Sequence, residues 1–382
     1  MPIIPLRPLL EATDKYNYAH GAFNVNSVHQ IKAAIEVHEM LRSGAILQGA
    51  DLANGFMGGR TDFMNSTIED KRAGAKNIAA AVYKYGEHSP IPIVLHLDHG
   101  KNFDSVVAAI DGGYSSVMID GSALPYDDNV ELTREVVKYA HARGVSVEGE
   151  LGVLAGVEDH VFSEESTYTH PMKAVDFFKK TGVDALAISY GTMHGAVKGK
   201  NVKLRKEIVI AVKECLRHEN IFGVLVSHGS STVPAYIVNE INELGGDIKN
   251  TGGIPIAEIQ QAIACGIGKV NVDTDIRLAV TRNLREYFKA HPEAKNSASI
   301  GPIHQLLEEK KSAFDPRVFL TPIMDTMMRG TVLDNDVAAM ADCMERGVKE
   351  ILGTLIVEFG SAGKAPLIEQ ADLDEMIRRY HR

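Results

Sequence analysis

The sequence predicts a (β/α)8 TIM barrel, on three observations. Short apolar, β-branched runs recur eight times between residues 22 and 275. Segments with apolar residues three and four apart separate them, the spacing of one helical face. Nearly every run closes on polar or charged residues, as strands do when their ends build a site. Strands that alternate with helices pair in parallel, because a parallel return needs a crossover. A doubly wound open sheet is the competing architecture, but no GxGxxG turn opens the chain.

The runs, in order, are AFNV (22–25), GAILQG (44–49), IPIVLHLDH (91–99), SSVMIDG (115–121), VSVEGELG (145–152), ALAISYG (185–191), GVLVSHG (223–229) and KVNVDTD (269–275). Ile31, Ile35 and Met40/Leu41 mark the helix after the first, and Val130, Val136, Val137 and Ala140 the helix after the fourth. Residues 60–74, RTDFMNSTIEDKRAG, lengthen the second connection and read as polar and surface-exposed. Beyond residue 300 the pattern turns helical, with Val337, Met340, Met344, Val348, Ile351/Leu352 and Leu355 forming a stripe. Such a stripe belongs to a core or to a subunit contact. The expectation is one barrel domain over 1–382, with 301–382 a C-terminal helical extension.

Composition narrows the function classes. The chain has 382 residues, 45% hydrophobic and 24% charged, which is ample for a core. A net charge of −10 leaves no basic surplus for a phosphate backbone, so no nucleic-acid partner is expected. The three cysteines, Cys215, Cys265 and Cys343, form no CxxC pair, which argues against a disulfide framework or a thiolate zinc cluster. No run approaches the roughly 20 apolar residues of a membrane span, and the opening residues carry a charge and prolines where a signal peptide would be apolar. The expected location is cytoplasmic.

The strand ends carry the chemistry. They supply Asp98 and His99 (third), Asp120 (fourth), Glu148 and Glu150 (fifth), His194 just past the sixth, His228 (seventh), and Asn271, Asp273 and Asp275 (eighth). A histidine near a strand end is ordinarily a hydrogen-bonded core residue. Three at one mouth, each followed by glycine, suit a catalytic zinc ion with open positions. Neutral imidazoles leave the full 2+ charge on such an ion, a strong Lewis acid for a carbonyl or enolate oxygen. His99, His194 and His228 are the candidate ligands, with Asp120 beside them. His96 lies three residues before His99, roughly 10 Å deeper at about 3.3 Å per residue, and reads as a barrel-interior residue with a hydrogen-bond partner. Asp98, next to the metal, suits general acid–base work.

A phosphate site is the second signal, because loops after the seventh and eighth strands of barrels often hold phosphate. Gly229, Ser230, Asn271 and Thr274 are candidate donors, and Asp273 suits substrate hydroxyls. Lys198 and Arg277 can bring cations to the same mouth, although either could equally be a solvated charge.

The motifs AFNVNS, HLDHG, SVMIDGS, VEGELG, GVEDHV, YGTMHGAVK, HGSSTVP, KVNVDTDIR, FDPR and FGSAGKA occur in order from about residue 5 to 365. Together they closely resemble the class II fructose-bisphosphate aldolases, zinc-dependent (β/α)8 barrels. The resemblance implies zinc on His99, His194 and His228, with Glu150 a carboxylate able to approach the metal. It implies that Asp98 handles the proton of the C4 hydroxyl and that Glu158, on the loop GVLAGVED, takes the proton from the triose phosphate. Gly195, Lys198, Gly229, Ser230, Asn271, Asp273 and Thr274 match its dihydroxyacetone-phosphate site. Arg277 matches a residue that meets the second phosphate, in many members across a subunit boundary, and Asn24 a position near the substrate. A monovalent cation (Na+ or K+) near the phosphate and a homodimer or homotetramer are further implications.

The chain departs from that pattern in three places. Ala50 stands where the family usually carries a serine near the substrate, residues 60–74 are inserted, and residues 366–382 extend past the usual end. Tagatose 1,6-bisphosphate is the alternative substrate. A Schiff-base aldolase needs a lysine at the barrel mouth, which ALAISYG lacks. A metallohydrolase often pairs HxH on the first strand, which AFNVNS lacks. A metal-binding barrel without turnover is the non-enzymatic alternative.

Overall fold

The computed structural model describes residues 3–381 except 155, 159–160, 164–166 and 198–201, and describes 157, 158 and 161–163 by their backbone alone. Eight parallel strands close into a barrel. They are β1 (His20–Asn24), β2 (Ala45–Ala50), β3 (Ile93–Gly100), β4 (Ser116–Ile119), β5 (Ser146–Leu151), β8 (Ala185–Ile188), β9 (Val224–Ser227) and β10 (Ile267–Val272). The other two strands, β6 (Gly156–Glu158) and β7 (Val161–Ser163), make an antiparallel hairpin on the β5–β8 connection. All eight predicted runs are thus barrel strands, although the sixth ends at Ile188, earlier than its apolar run.

Alternation along each strand sorts the side chains. One parity points into the barrel. Its lower layers are apolar, with Ala22, Ile46, Val94, Met118, Ala185, Ala187, Val224 and Val226 in one buried cluster. The same cluster includes Leu6, Leu9 and Leu10 of the helix Leu6–Tyr16, which closes the barrel floor. The other parity faces the surrounding helices. These start where the sequence offers caps: Ser27 accepts from Gln30 N, Asn102 from Ser105 N, and Thr67 and Asp70 form a reciprocal box.

Two expectations are refined. The stripe on the helix Asn335–Glu358 is buried within the chain, the helix packing against Thr274–Ala290 and Val28–Met40, so its apolar face is core rather than a subunit contact. Residues 60–74 are not wholly a polar surface. Phe63 is buried, edge-on to Phe56 at 5.9 Å between ring centroids, because the segment folds back as a short turn (Phe63–Asn65) before the helix Ile68–Gly86. The tail carries a helix, Leu373–Tyr380. Tyr380 stacks flat on His141 at 3.6 Å and donates to Asp184 Oδ1 (3.0 Å) at the barrel floor. Among the described residues, no helix is long and apolar enough to cross a membrane.

Candidate active site

Parallel pairing delivers the strand ends to one mouth. Asp98 on β3 lies in register with Ala50 on β2, and both point inward by parity. His99 would point outward, but its φ of 46° turns the backbone into the left-handed region at the strand end. That conformation is costly for a histidine and persists only where the surroundings enforce it. His194 and His228 arrive from the loops after β8 and β9. These loops touch so closely that a Cβ on Gly229 would lie 2.5 Å from Met193 O, and β6 approaches as near, a Cβ on Gly156 lying 2.4 Å from His194 O. Glycine is required at both positions, with φ values of 60° and 110°.

The three imidazoles converge. Ring centroids are 4.7 Å apart for His99 and His228, 5.3 Å for His99 and His194, and 6.5 Å for His194 and His228. All three are at most 3% exposed. Carboxylates fix two of the tautomers. His99 Nδ1 donates to Asp120 Oδ2 (3.1 Å), and His228 Nε2 donates to Glu148 Oε1 (2.7 Å). The remaining nitrogens, His99 Nε2 and His228 Nδ1, then face each other at 3.0 Å with a lone pair each. Two lone pairs so placed repel unless a proton or a cation lies between them. The donor set therefore fits a divalent ion. Ligand atoms within 4.8 Å of one another join His99 and His228 with Asp98, and His99 with Asp120 and Glu150. His194 belongs to neither group, its ring centroid lying 5.3 Å from that of His99. Asp98 is already bound by two amides, so the third imidazole is the better third ligand.

Electrostatics agree with a cation site. Burial opposes charging His99, yet Asp98, Asp120 and Glu150 outweigh it and hold the ring well above its ordinary pKa. Burial lowers His228 despite its bond to Glu148. Glu150, 2% exposed, is pushed well above the usual carboxylate range by burial and by Asp120. Its Oε2 has no hydrogen-bond partner among the described residues and lies 3.9 Å from His99 Nδ1. Asp120 is held low by His99 and Ser122, which overcome its burial.

Beneath the imidazoles runs a buried polar chain. Asp98 accepts from Asn24 Nδ2 (2.9 Å) and Asn271 Nδ2 (3.1 Å), so both its oxygens are fixed. Asn24 Oδ1 in turn accepts from Gln48 Nε2 (2.9 Å), and Asn271 Oδ1 from Lys269 Nζ (2.7 Å). Lys269 pairs with Glu148 at 2.9 Å, which returns the chain to His228. His96 is fully buried with Nδ1 on Ser116 Oγ (2.8 Å), the interior role its position implied. Lys269 and Gln48 were not selected as site residues from the sequence, and Glu148 was noted at its strand end without a role. The available signal was parity: Glu148 and Lys269 lie two positions before Glu150 and Asn271 on the same strand face, while Gln48 had no selected residue beyond it.

A cavity of about 580 Å³ opens above, lined by residues that include His194, Gly195, Asp273, Thr274 and Arg277 together with Phe63, Met64, Phe314, Asp315 and Arg317. Thr274 begins the helix Thr274–Ala290, and such a terminus favours an anion. Ser230 is fully buried and its hydroxyl pairs with Ser227 Oγ (2.7 Å), so its side chain is turned into the protein. Asp273 is bound by Arg277, whose Nη1 also reaches Asp315 Oδ2 (3.2 Å). Lys198 and the Glu158 side chain lie outside the described residues. Arg317, 2% exposed and paired with Asp315 Oδ2 at 2.7 Å, joins the cavity without having been selected from the sequence; FDPR was quoted only as a motif.

Comparison with known proteins agrees with this architecture. The chain matches "Fructose-bisphosphate aldolase class-II" over residues 4–363. It is 38% identical over 381 residues to the "Fructose-bisphosphate aldolase" of Giardia intestinalis, covering 100% of both chains. Residues 366–382 therefore fall within that alignment. It is 37% identical to the protein of the same name from Xanthobacter flavus, over 100% of this chain and 97% of the relative. The fold is shared with the YdjI aldolase of Escherichia coli K12 (TM-score 0.64, 24% identity, covering 95% of this chain and 99% of that one). It is shared also with the Campylobacter jejuni fructose-bisphosphate aldolase (TM-score 0.66, 21% identity, 95% and 97% covered). With the closed barrel, the convergent imidazoles and a family match spanning nearly the whole sequence, the chain belongs to the class II fructose-bisphosphate aldolases.

Proposed function

We propose that the chain catalyses the reversible, zinc-dependent cleavage of fructose 1,6-bisphosphate to dihydroxyacetone phosphate and glyceraldehyde 3-phosphate. One observation carries the reading: two tautomer-fixed imidazoles face each other at 3.0 Å beside Asp98, whose oxygens are both anchored. His99, His194 and His228, with Glu150 within reach, would hold a zinc ion, which when bound would supply Lewis-acid charge for the developing enolate.

In the cleavage direction Asp98 takes the proton of the C4 hydroxyl. The C3–C4 bond breaks, its electron pair moves towards the C2 carbonyl oxygen, and C4 leaves as the aldehyde. Glu158 then returns a proton to C3. Asn24 and Asn271 hold Asp98 in one orientation, so no reorganisation is needed at the moment of transfer. Loops 194–197 and 229–231 and the start of the helix Thr274–Ala290 hold the C1 phosphate. The same reading includes a monovalent cation beside that phosphate, a homo-oligomeric assembly and a cytoplasmic setting.

Among the described residues Lys269 lies inside the barrel, where Glu148 and Asn271 hold its ammonium, which leaves it a poor Schiff-base nucleophile. A coupled assay on fructose 1,6-bisphosphate tests the proposal. Activity is expected to vanish with chelator and to return with zinc, and borohydride with substrate is expected to trap no adduct. Full turnover in metal-free protein, or a trapped lysine, overturns it.

A further inference from the structure

One cation at the centre of the buried polar chain takes part in neither proton transfer. Lys269 is fully buried on β10, two positions before Asn271 and on the same strand face. The lower layers of the barrel are apolar, and an apolar residue here would cost less than a desolvated ammonium. What sets Lys269 apart is where its contacts lead. One arm runs from Nζ to Asn271 Oδ1 (2.7 Å), and Asn271 Nδ2 then reaches Asp98 Oδ1 (3.1 Å). The other runs from Nζ to Glu148 Oε2 (2.9 Å), and Glu148 Oε1 then accepts from His228 Nε2 (2.7 Å).

An ammonium carries three donors and no acceptor. Facing it, the Asn271 amide presents its oxygen, which leaves its N–H groups for Asp98. Glu148 commits one oxygen to it and keeps the other for His228 Nε2–H. The lone pair of His228 Nδ1 is thereby left towards His99 Nε2, 3.0 Å away. On the other side of Asp98 a neutral donor does similar work: Gln48 Nε2 fixes Asn24 Oδ1, and Asn24 Nδ2 reaches Asp98 Oδ2. The Lys269 side differs in joining the acid–base carboxylate to an imidazole. Resting on the aldol reading, we propose that Lys269 is a positioning residue that sets two groups at once, the orientation of Asp98 through Asn271 and the tautomer of His228 through Glu148. Removing it then separates the two proton transfers. Proton transfer at C3 is assigned to Glu158 and does not use Asp98, whereas cleavage of the C3–C4 bond does.

The test is Lys269→Met in the full chain, an unbranched side chain without the ammonium. At saturating zinc, kcat for cleavage of fructose 1,6-bisphosphate is expected to fall about 10- to 100-fold with KM little changed. Exchange of the C3 proton of dihydroxyacetone phosphate with solvent is expected to stay near that of the unsubstituted chain. Equal loss of cleavage and exchange, or loss of neither, overturns the assignment of the Asn271 arm. Zinc affinity is measured separately, without substrate, by competition with a chelating dye. A bystander cation repels Zn2+, so its loss would tighten binding. Loss of a positioning cation is expected to weaken binding about 10- to 100-fold, and unchanged or tighter binding overturns the assignment of the Glu148 arm. Because Lys269→Met strands a buried carboxylate, Lys269→Met/Glu148→Gln, in which both charges go, is measured beside it to guard against failure to fold. There too cleavage is expected to stay low with exchange retained, and cleavage equal to that of the unsubstituted chain overturns the proposal. If the unsubstituted, zinc-loaded chain neither exchanges nor cleaves, the aldol reading itself has failed and this proposal with it; normal turnover with no separation in the variants means that this proposal alone has failed.

Discussion

The barrel buries charged groups at both ends, and the two ends handle them differently. At the floor, Asp184 is fully buried and held low, its burial outweighed by His141 and Arg7. It accepts from His141 Nε2 (3.0 Å), Arg7 Nη1 (3.1 Å), Val147 N (2.8 Å) and Tyr380 OH (3.0 Å). That carboxylate is saturated, and the network ties the C-terminal tail to the first helix and to β5. At the mouth, nitrogen faces nitrogen and Glu150 Oε2 is buried without a partner among the described residues. The same residue types, complete at one end and incomplete at the other, separate a structural network from one built to receive a ligand.

Substitutions at matched depth can break this contrast. The largest effect is expected at the mouth. Asp98→Asn keeps the amide contacts in part but removes the proton acceptor, so kcat should fall about 10²- to 10⁴-fold. Zinc content by atomic absorption and the melting temperature should hardly change, and normal turnover would dismiss Asp98 as the acid–base group. At the floor, Asp184→Asn should leave kcat/KM near wild type. It should instead cost about 3–5 kcal/mol of stability in a urea titration, because it strands buried partners. A floor variant that lost activity without losing stability would erase the distinction. The smallest effect is expected for Tyr380→Phe, which keeps the stack on His141 and loses the hydroxyl donor to Asp184. About 1 kcal/mol is expected, read as a lower melting temperature with unchanged substrate kinetics.

How much of this was legible beforehand differs by residue. His99 and His228 could be placed from strand ends, because parallel alternation sends every strand end to one mouth. The turn that rotates His99 inward could not, since a positive φ at a histidine has no reliable local signature. Ser230 shows a pairing that its own stretch of sequence does not signal. A hydroxyl in a glycine-rich loop reads as a phosphate donor, and the fold pairs it with Ser227. Phe63 was hidden inside a polar stretch, because a lone aromatic there shows no period, and it packs on Phe56 and Arg317.

What the residues determined by themselves was everything that period and local chemistry encode: eight strands, their crossovers, the family, and which carboxylates and imidazoles share an end. What the tertiary structure alone decided was pairing across the barrel. Glu148 with Lys269, Phe63 over Arg317, and the apposed nitrogens of His99 and His228 join residues more than a hundred positions apart. Such contacts are set by barrel closure and by the need to match every buried charge, and neither is a property of any local stretch of chain.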